Sequence, residues 1–313
     1  LAASLVSTSA FAGELTATVT ASVTMEGYSG TTLQSDTAFS MADSVTLAGS
    51  TELDNGMTVT MSFELDGDAE SATSAYDDNS LTVSSDTLGT VKFSAHGGSS
   101  ASSAIDATAA GDIYGNFDDT ELTVAGAATK AAAAGNNNIY YTLPSMVDGL
   151  SINASLNTAG ATGNNAVGYN ATYSGVEGLS VSYGFADIES GVSTTSGDHT
   201  VMKASYAYGP VTASWSNSEY DIGPANTQAT AQEVTAYAIS YTVTDSISVT
   251  YGTETIESGL SSEVDAEYES LKASFTSGGM TISLTSQEAT NIDHTVDTDN
   301  DYDYWALGLA FAF

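Results

Sequence analysis

The stretch 106–121 carries five carboxylates: Asp106, Asp112, Asp118, Asp119 and Glu121. Grouped carboxylates can move protons, hold a hard cation, or set a local field. Proton transfer in a hydrolase would want a histidine paired with a nucleophile. The three histidines, His96, His199 and His294, fall on separate predicted elements, and no G-x-S-x-G occurs. The sequence therefore carries no enzymatic signature. Oxygen ligands suit Ca²⁺ or Mg²⁺. The run GDIYGNFDDTE lacks EF-hand spacing, so Asp118 and Asp119 are its metal candidates, and no cofactor is required. What remains is electrostatics.

The imbalance of charge is large. The chain has 39 acids against Lys92, Lys130, Lys203 and Lys272, no arginine, and a formal net charge of -35. Nucleic acid is excluded as a partner, because phosphate binding needs clustered Lys and Arg. Such a surface attracts cations and tolerates its own repulsion best where salt screens it. The absence of cysteine excludes a disulfide framework and a thiolate metal site.

The elements that position these charges are strands. Period two runs through nearly the whole chain. In ELTATVTASVTM, Leu15, Ala17, Val19, Ala21, Val23 and Met25 alternate with threonine and serine. MTVTMSFEL places Met57, Val59, Met61, Phe63 and Leu65 on one face and Thr58, Thr60, Ser62 and Glu64 on the other. About sixteen strands are expected, starting near 14, 37, 57, 79, 90, 138, 150, 166, 179, 199, 211, 233, 247, 267, 280 and 301. Short turn signals (53–56, 85–89, 145–149, 174–178, 209–210, 244–246, 277–279) alternate with longer polar stretches, of which 97–137 is the longest. Strict short–long alternation is what an antiparallel up-and-down barrel produces. Residues 1–12, with the small-residue site Ala10-Phe11-Ala12, resemble the end of a secretory signal, leaving 13–313 as a single domain. No run of eighteen apolar residues follows, so a membrane would be crossed by a closed barrel. One face of each strand is apolar and the other carries Ser, Thr, Asn and small residues, as lipid outside and water inside demand.

Parity then aims the cations. Lys92 lies between Val91 and Phe93, Lys203 between Met202 and Ala204, and Lys272 between Leu271 and Ala273. All three point inward, as does His96. A lysine facing lipid near mid-bilayer would cost roughly 2–4 kcal/mol. These side chains either form a reduced basic wall or each neutralise a nearby acid.

At this level the sequence resembles the general diffusion porins of Gram-negative outer membranes, most of all the alphaproteobacterial kind. The resemblance is carried by GELTATVTASV after a cleaved signal, by TLAGSTELDNGMTVTMSFEL, and by LGTVKFSA leading into GDIYGNFDD. It continues through NNNIYYTLPSMVDGLSINASLN and the terminal ALGLAFAF. It implies a sixteen-stranded barrel, a homotrimer, and a third long loop, here 97–137, folded into the lumen. In the family, acids on that loop face a basic cluster, mostly arginine. Asp106, Asp112, Asp118, Asp119 and Glu121 supply the acids. Lys92, His96, Lys203 and Lys272 are what remains of the basic side. Trp305, Phe311 and Phe313 resemble the signal read by the barrel assembly machinery.

The expected function is passive diffusion of small hydrophilic solutes and ions through a cation-selective pore. The acidic outer loops add sites where Ca²⁺ or Mg²⁺ would bridge to lipopolysaccharide or between subunits. The competing reading is an acidic secreted or surface-layer β-protein, adhesin-like and calcium-dependent, without channel activity. In DYDYWALGLAFAF, residues 301–304 are expected at the wet outer rim, with Trp305 at the interface and Leu307, Leu309, Phe311 and Phe313 facing lipid. Aromatic side chains facing the lumen, such as Tyr140, are expected to be few.

Overall fold

The computed structural model describes residues 15–29, 37–66, 77–105, 108–117, 136–158, 165–189, 197–222, 232–257, 264–292, 294 and 301–313. Residues 1–12, the expected signal remnant, lie outside the described residues.

The strands are β1 (Leu15–Ser29), β2 (Thr37–Glu52), β3 (Thr58–Asp66), β4 (Asn79–Ser85), β5 (Gly89–His96), β6 (Asn138–Thr142), β7 (Leu150–Thr158) and β8 (Asn165–Val176). They continue as β9 (Leu179–Glu189), β10 (Gly197–Tyr208), β11 (Val211–Ile222), β12 (Gln232–Thr244), β13 (Ile247–Glu257), β14 (Ala266–Ser277), β15 (Met280–Thr290) and β16 (Tyr302–Ala312). Each pairs antiparallel with its sequence neighbours, and β16 closes on β1, so the sheet is one closed barrel without an edge. Every strand begins within two residues of its expected start. Closure satisfies the backbone groups that lipid cannot.

Register fixes the faces. Val23 pairs with Leu309 and Met41, and Ala21 with Phe311 and Asp43. Large side chains such as Phe93, Leu156, Val181, Ile239 and Leu284 stand exposed on the outer face. Around them stand Tyr173, Tyr183, Tyr206, Tyr208, Tyr241, Tyr251 and Trp305, also exposed. This is a lipid-facing band with aromatic borders.

The buried core lies inside the barrel. Inward-facing Val234, Ile256, Tyr268, Tyr302 and Tyr304 pack with Ala110, Ile113 and Phe117 from the segment after β5. Tyr302 and Tyr304 are therefore not at a wet rim, as their position in DYDY suggested; they are 1% and 6% exposed. The lumenal aromatics also exceed the few expected. Tyr28, Tyr268 and Tyr304 ring Phe117 at centroid distances of 6.4, 5.8 and 6.3 Å. The inner surface was expected to be polar throughout. Where the chain itself covers it, apolar side chains stand beside buried polar ones such as Asn170, His199, Glu254 and Gln287.

Candidate functional site: the barrel interior

Residues 97–105 and 108–117 run along the inner wall, held by inward side chains of successive strands. Asn138 on β6 donates from Nδ2 to the Ser99 carbonyl at 3.1 Å. Ser155 on β7 accepts from the Ala101 amide at 2.7 Å, and Asn170 on β8 donates to the Ala101 carbonyl. On β10, the His199 ring is bonded at 3.0 Å to Ser102 through Nδ1 and at 3.0 Å to Ser218 of β11 through Nε2. Farther along, Ser216 accepts from the Ala109 amide at 2.7 Å and Lys203 Nζ donates to the Thr108 carbonyl at 3.1 Å. Glu254 on β13 accepts the Ile113 and Tyr114 amides at 2.7 and 3.1 Å. These amides open the 3-10 turn Tyr114–Asn116. Beyond it, Asn116 donates to Gln287 on β15 at 2.9 Å, and its carbonyl accepts from the Tyr28 hydroxyl of β1 at 2.6 Å.

The segment can lie this close because the wall is locally bare. An added Cβ on Gly252 would stand 2.8 Å from the Ala110 Cβ. The segment departs at Gly97, whose φ of +62° is left-handed, with the Asp78 carboxylate over the space a Cβ would need.

The serine–histidine contacts at His199 are not a nucleophile and base. Ser102, His199 and Ser218 are at most 1% exposed, and the two ring nitrogens are both taken by serine. No substrate reaches them, and their role is to hold the segment to the wall.

Of the loop acids, Asp112 is exposed, in a left-handed conformation with φ 58°. Asp106, Asp118, Asp119 and Glu121, including both metal candidates, lie outside the described residues, as does Lys130. No group of three metal-ligating side chains occurs among the described residues.

The basic residues are divided. Lys203 and Lys272 sit beneath the segment: Lys203 holds Thr108, and Lys272 Nζ would be 3.5 Å from a Cβ on Gly111. Lys92 and His96 belong to β5, in a cleft with Glu64 and Asp78. Lys203 and Lys272 thus meet the segment, while Lys92 and His96 meet acids of the β3–β4 side. Asp78, just ahead of β4, has its carboxyl held above the usual range by burial, then by Asp77 and Glu64, against the opposing pull of Lys92 and His96. Sequence reasoning missed the roles of Glu254, His199 and the asparagines, although their inward parity was readable.

At the closing strand, Phe313 donates its amide to the Val19 carbonyl at 3.0 Å, and its ring stacks on Phe311 at 6.2 Å. The Trp305 indole lies over Gly27.

An edgeless sixteen-stranded barrel, apolar outside and partly filled by its own chain inside, defines a transmembrane β-barrel of the channel-forming type. The chain matches the family model of Gram-negative porins over residues 1–313 and belongs to that family. It is accordingly an outer-membrane porin. This removes the reading as a secreted or surface-layer β-protein.

Solved structures of the same fold include an anion-selective porin from Comamonas acidovorans, with 16% identity and a TM-score of 0.71. That match covers 96% of this chain and 100% of the other. OmpF of Salmonella typhi, solved with daunomycin, shares 13% identity over 96% of this chain and 98% of its own, with a TM-score of 0.69. OmpT of Vibrio cholerae shares 12% over the same fractions, with a TM-score of 0.68. No curated protein matches in sequence.

Proposed function

We propose that this porin forms a water-filled, cation-selective pore for passive diffusion of small hydrophilic solutes, and that it works as a homotrimer. The observation that carries the selectivity is the absence of arginine in a chain of 39 acids and four lysines. The fold does not decide the sign, since the Comamonas relative is anion-selective. Charge does: a lumen lined with carboxylates concentrates cations and repels anions. The segment from 97, with Asp112 on its exposed side, narrows the passage, and the remaining loop acids add to its field. Reversal potentials across a salt gradient in planar bilayers test this, and an anion preference would overturn it.

Trimerisation draws support from the outer face of β1 and β2. Small residues Ala17 and Ala21 lie there, and Asp43, exposed between Met41 and Val45, is paired with Ala21. A carboxylate on the outer face is ill suited to lipid and better suited to a subunit contact. Sedimentation in detergent should give three chains per particle; a monomer would remove this part. Divalent cations at the acidic outer loops would bridge neighbouring carboxylates and lipopolysaccharide phosphates. Trimer melting unchanged by chelator would remove that role. Trp305, Phe311 and Phe313 would be read by the barrel assembly machinery, and truncation of Phe313 should lower outer-membrane assembly.

A further inference from the structure

Among the described residues, the inner face of the barrel has a covered side and an open side. Inward residues from β7 to β15, such as Asn153, Asn170, Ser218, Glu254 and Gln287, are at most 8% exposed because residues 97–105 and 108–117 lie along them. On β2 to β5 the inward Thr46, Ser62, Glu64 and Thr82 are half-buried, and Lys92 is exposed. The passage therefore follows the β2–β5 wall.

That wall is acidic. Glu64 and Asp66 stand two residues apart on β3, inward, paired with Thr46 and Ser44. The chain returns at Asp78, whose carbonyl accepts the Glu64 amide at 2.8 Å. Two cavities lie along this wall. One, of about 430 Å³, is lined by Glu64 and Asp66 with Thr20, Ser22, Ser44 and Thr281. The other, of about 100 Å³, is lined by Glu64, Asp78, Lys92 and His96 with hydroxyls of Thr46 and Ser62. Glu64 is common to both, at their junction.

We infer that Glu64, flanked by Asp66 and Asp78 on the open wall, is the principal charge-selecting residue of the pore, ahead of the acids on the inward segment, with Lys92 opposing it. The inference rests on the cation-selective reading. Three carboxylates against one lysine and a histidine line the side that ions pass. Asp112, by contrast, sits on the side where Lys203 and Lys272 reach the segment. Charges of one sign in a cleft with low-dielectric walls focus the field along it. The wall opposite the loop thus carries acid where a basic cluster was expected from the resemblance.

The test is the reversal potential of the full chain in planar bilayers across a KCl gradient, kept at low ionic strength so that screening stays weak. Wild type is compared with Glu64→Gln, Lys92→Gln and Asp112→Asn. The expected result is a several-fold fall in cation over anion permeability for Glu64→Gln, a rise for Lys92→Gln, and a smaller change for Asp112→Asn. Lys92→Gln moves selectivity in the opposite direction, so it keeps the inference testable should Glu64→Gln fail to assemble. Selectivity unchanged in both wall variants, or a larger fall with Asp112→Asn, would overturn it. An anion-preferring wild type would sink the cation reading alone. The wall inference would then still stand or fall on whether Glu64→Gln moves selectivity farther toward anions than Asp112→Asn does.

Discussion

The Glu254 carboxylate receives the Ile113 amide at 2.7 Å, and the same oxygen receives the Tyr114 amide at 3.1 Å. Glu254 is 1% exposed. A buried carboxylate and the free amides at the start of a helical turn satisfy each other. The pair joins β13 to the segment that lies along the inner wall. Glu254→Ala would orphan the buried Ile113 amide, at roughly 1–3 kcal/mol, and the part-buried Tyr114 amide. Its unfolding midpoint should fall, and single-channel recordings should show larger or noisier currents. Glu254→Gln keeps an acceptor and should lie much closer to wild type. An alanine variant with wild-type midpoint and current would refute the anchoring role.

Gly252 makes a second, steric test of the same contact. Its Cα surface is the space into which Ala110 packs. Gly252→Val would force the segment off the wall or distort β13, an overpacking cost of about 1–3 kcal/mol. A segment pushed toward the open side should lower conductance, whereas a released one should raise it. Either displacement should also weaken protection of the Ile113 amide in hydrogen exchange. Unchanged exchange and conductance would mean that the segment does not rest on this wall.

The strands were legible because they repeat one rule. Starts at 37, 79, 138, 150, 179, 211, 247 and 280 coincide with those expected, since alternation and turn residues mark them locally. The inward aim of Lys203 followed from parity and is seen in its bond to Thr108. The placement of 97–117 was not legible. Ile105, Ile113 and Phe117 have no period, and their partners, such as Gly184 for Ile105, Glu254 for Ile113 and Tyr28 and Tyr268 for Phe117, come from strands remote in sequence. A signal did exist. Val234, Ile256, Tyr268, Tyr302 and Tyr304 are apolar or aromatic at inward positions, where water would call for polar side chains. Those exceptions to alternation mark the wall that the chain covers.

Asp78 gives the interior a pH dependence. Burial, Asp77 and Glu64 raise its carboxyl above the ordinary value of 3.8, while Lys92 and His96 lower it. The folded state thus binds this proton more tightly than the unfolded chain does. Its contribution favours folding below the ordinary value, and that advantage is lost as pH rises through the folded value. In thermal melts, Asp78→Asn should flatten this part of the profile and gain most relative to wild type at neutral pH. Parallel profiles for the two proteins would show that Asp78 does not titrate in this way.

On the outer face, register sets like charges directly opposite each other. Asp187 pairs with Asp198, Glu219 with Glu233, Glu233 with Glu257, Glu269 with Glu288, and Glu288 with Asp303. These residues lie at the strand ends nearest the long loops, beyond the apolar band. Opposed like charges in a sheet are destabilising, and unlike pairs contribute about 0.2–1 kcal/mol each, so the penalty here is of similar size. Screening should relieve it, because the Debye length falls from about 10 Å at 0.1 M salt to about 3 Å at 1 M. The unfolding midpoint in detergent should therefore climb with sodium chloride. Glu288→Gln, which relieves two pairs at once, should raise the midpoint at low salt and leave it nearly unchanged at 1 M. A midpoint indifferent to salt, or a Glu288→Gln gain that persists at 1 M, would mean that repulsion across these pairs does not limit the stability of the barrel.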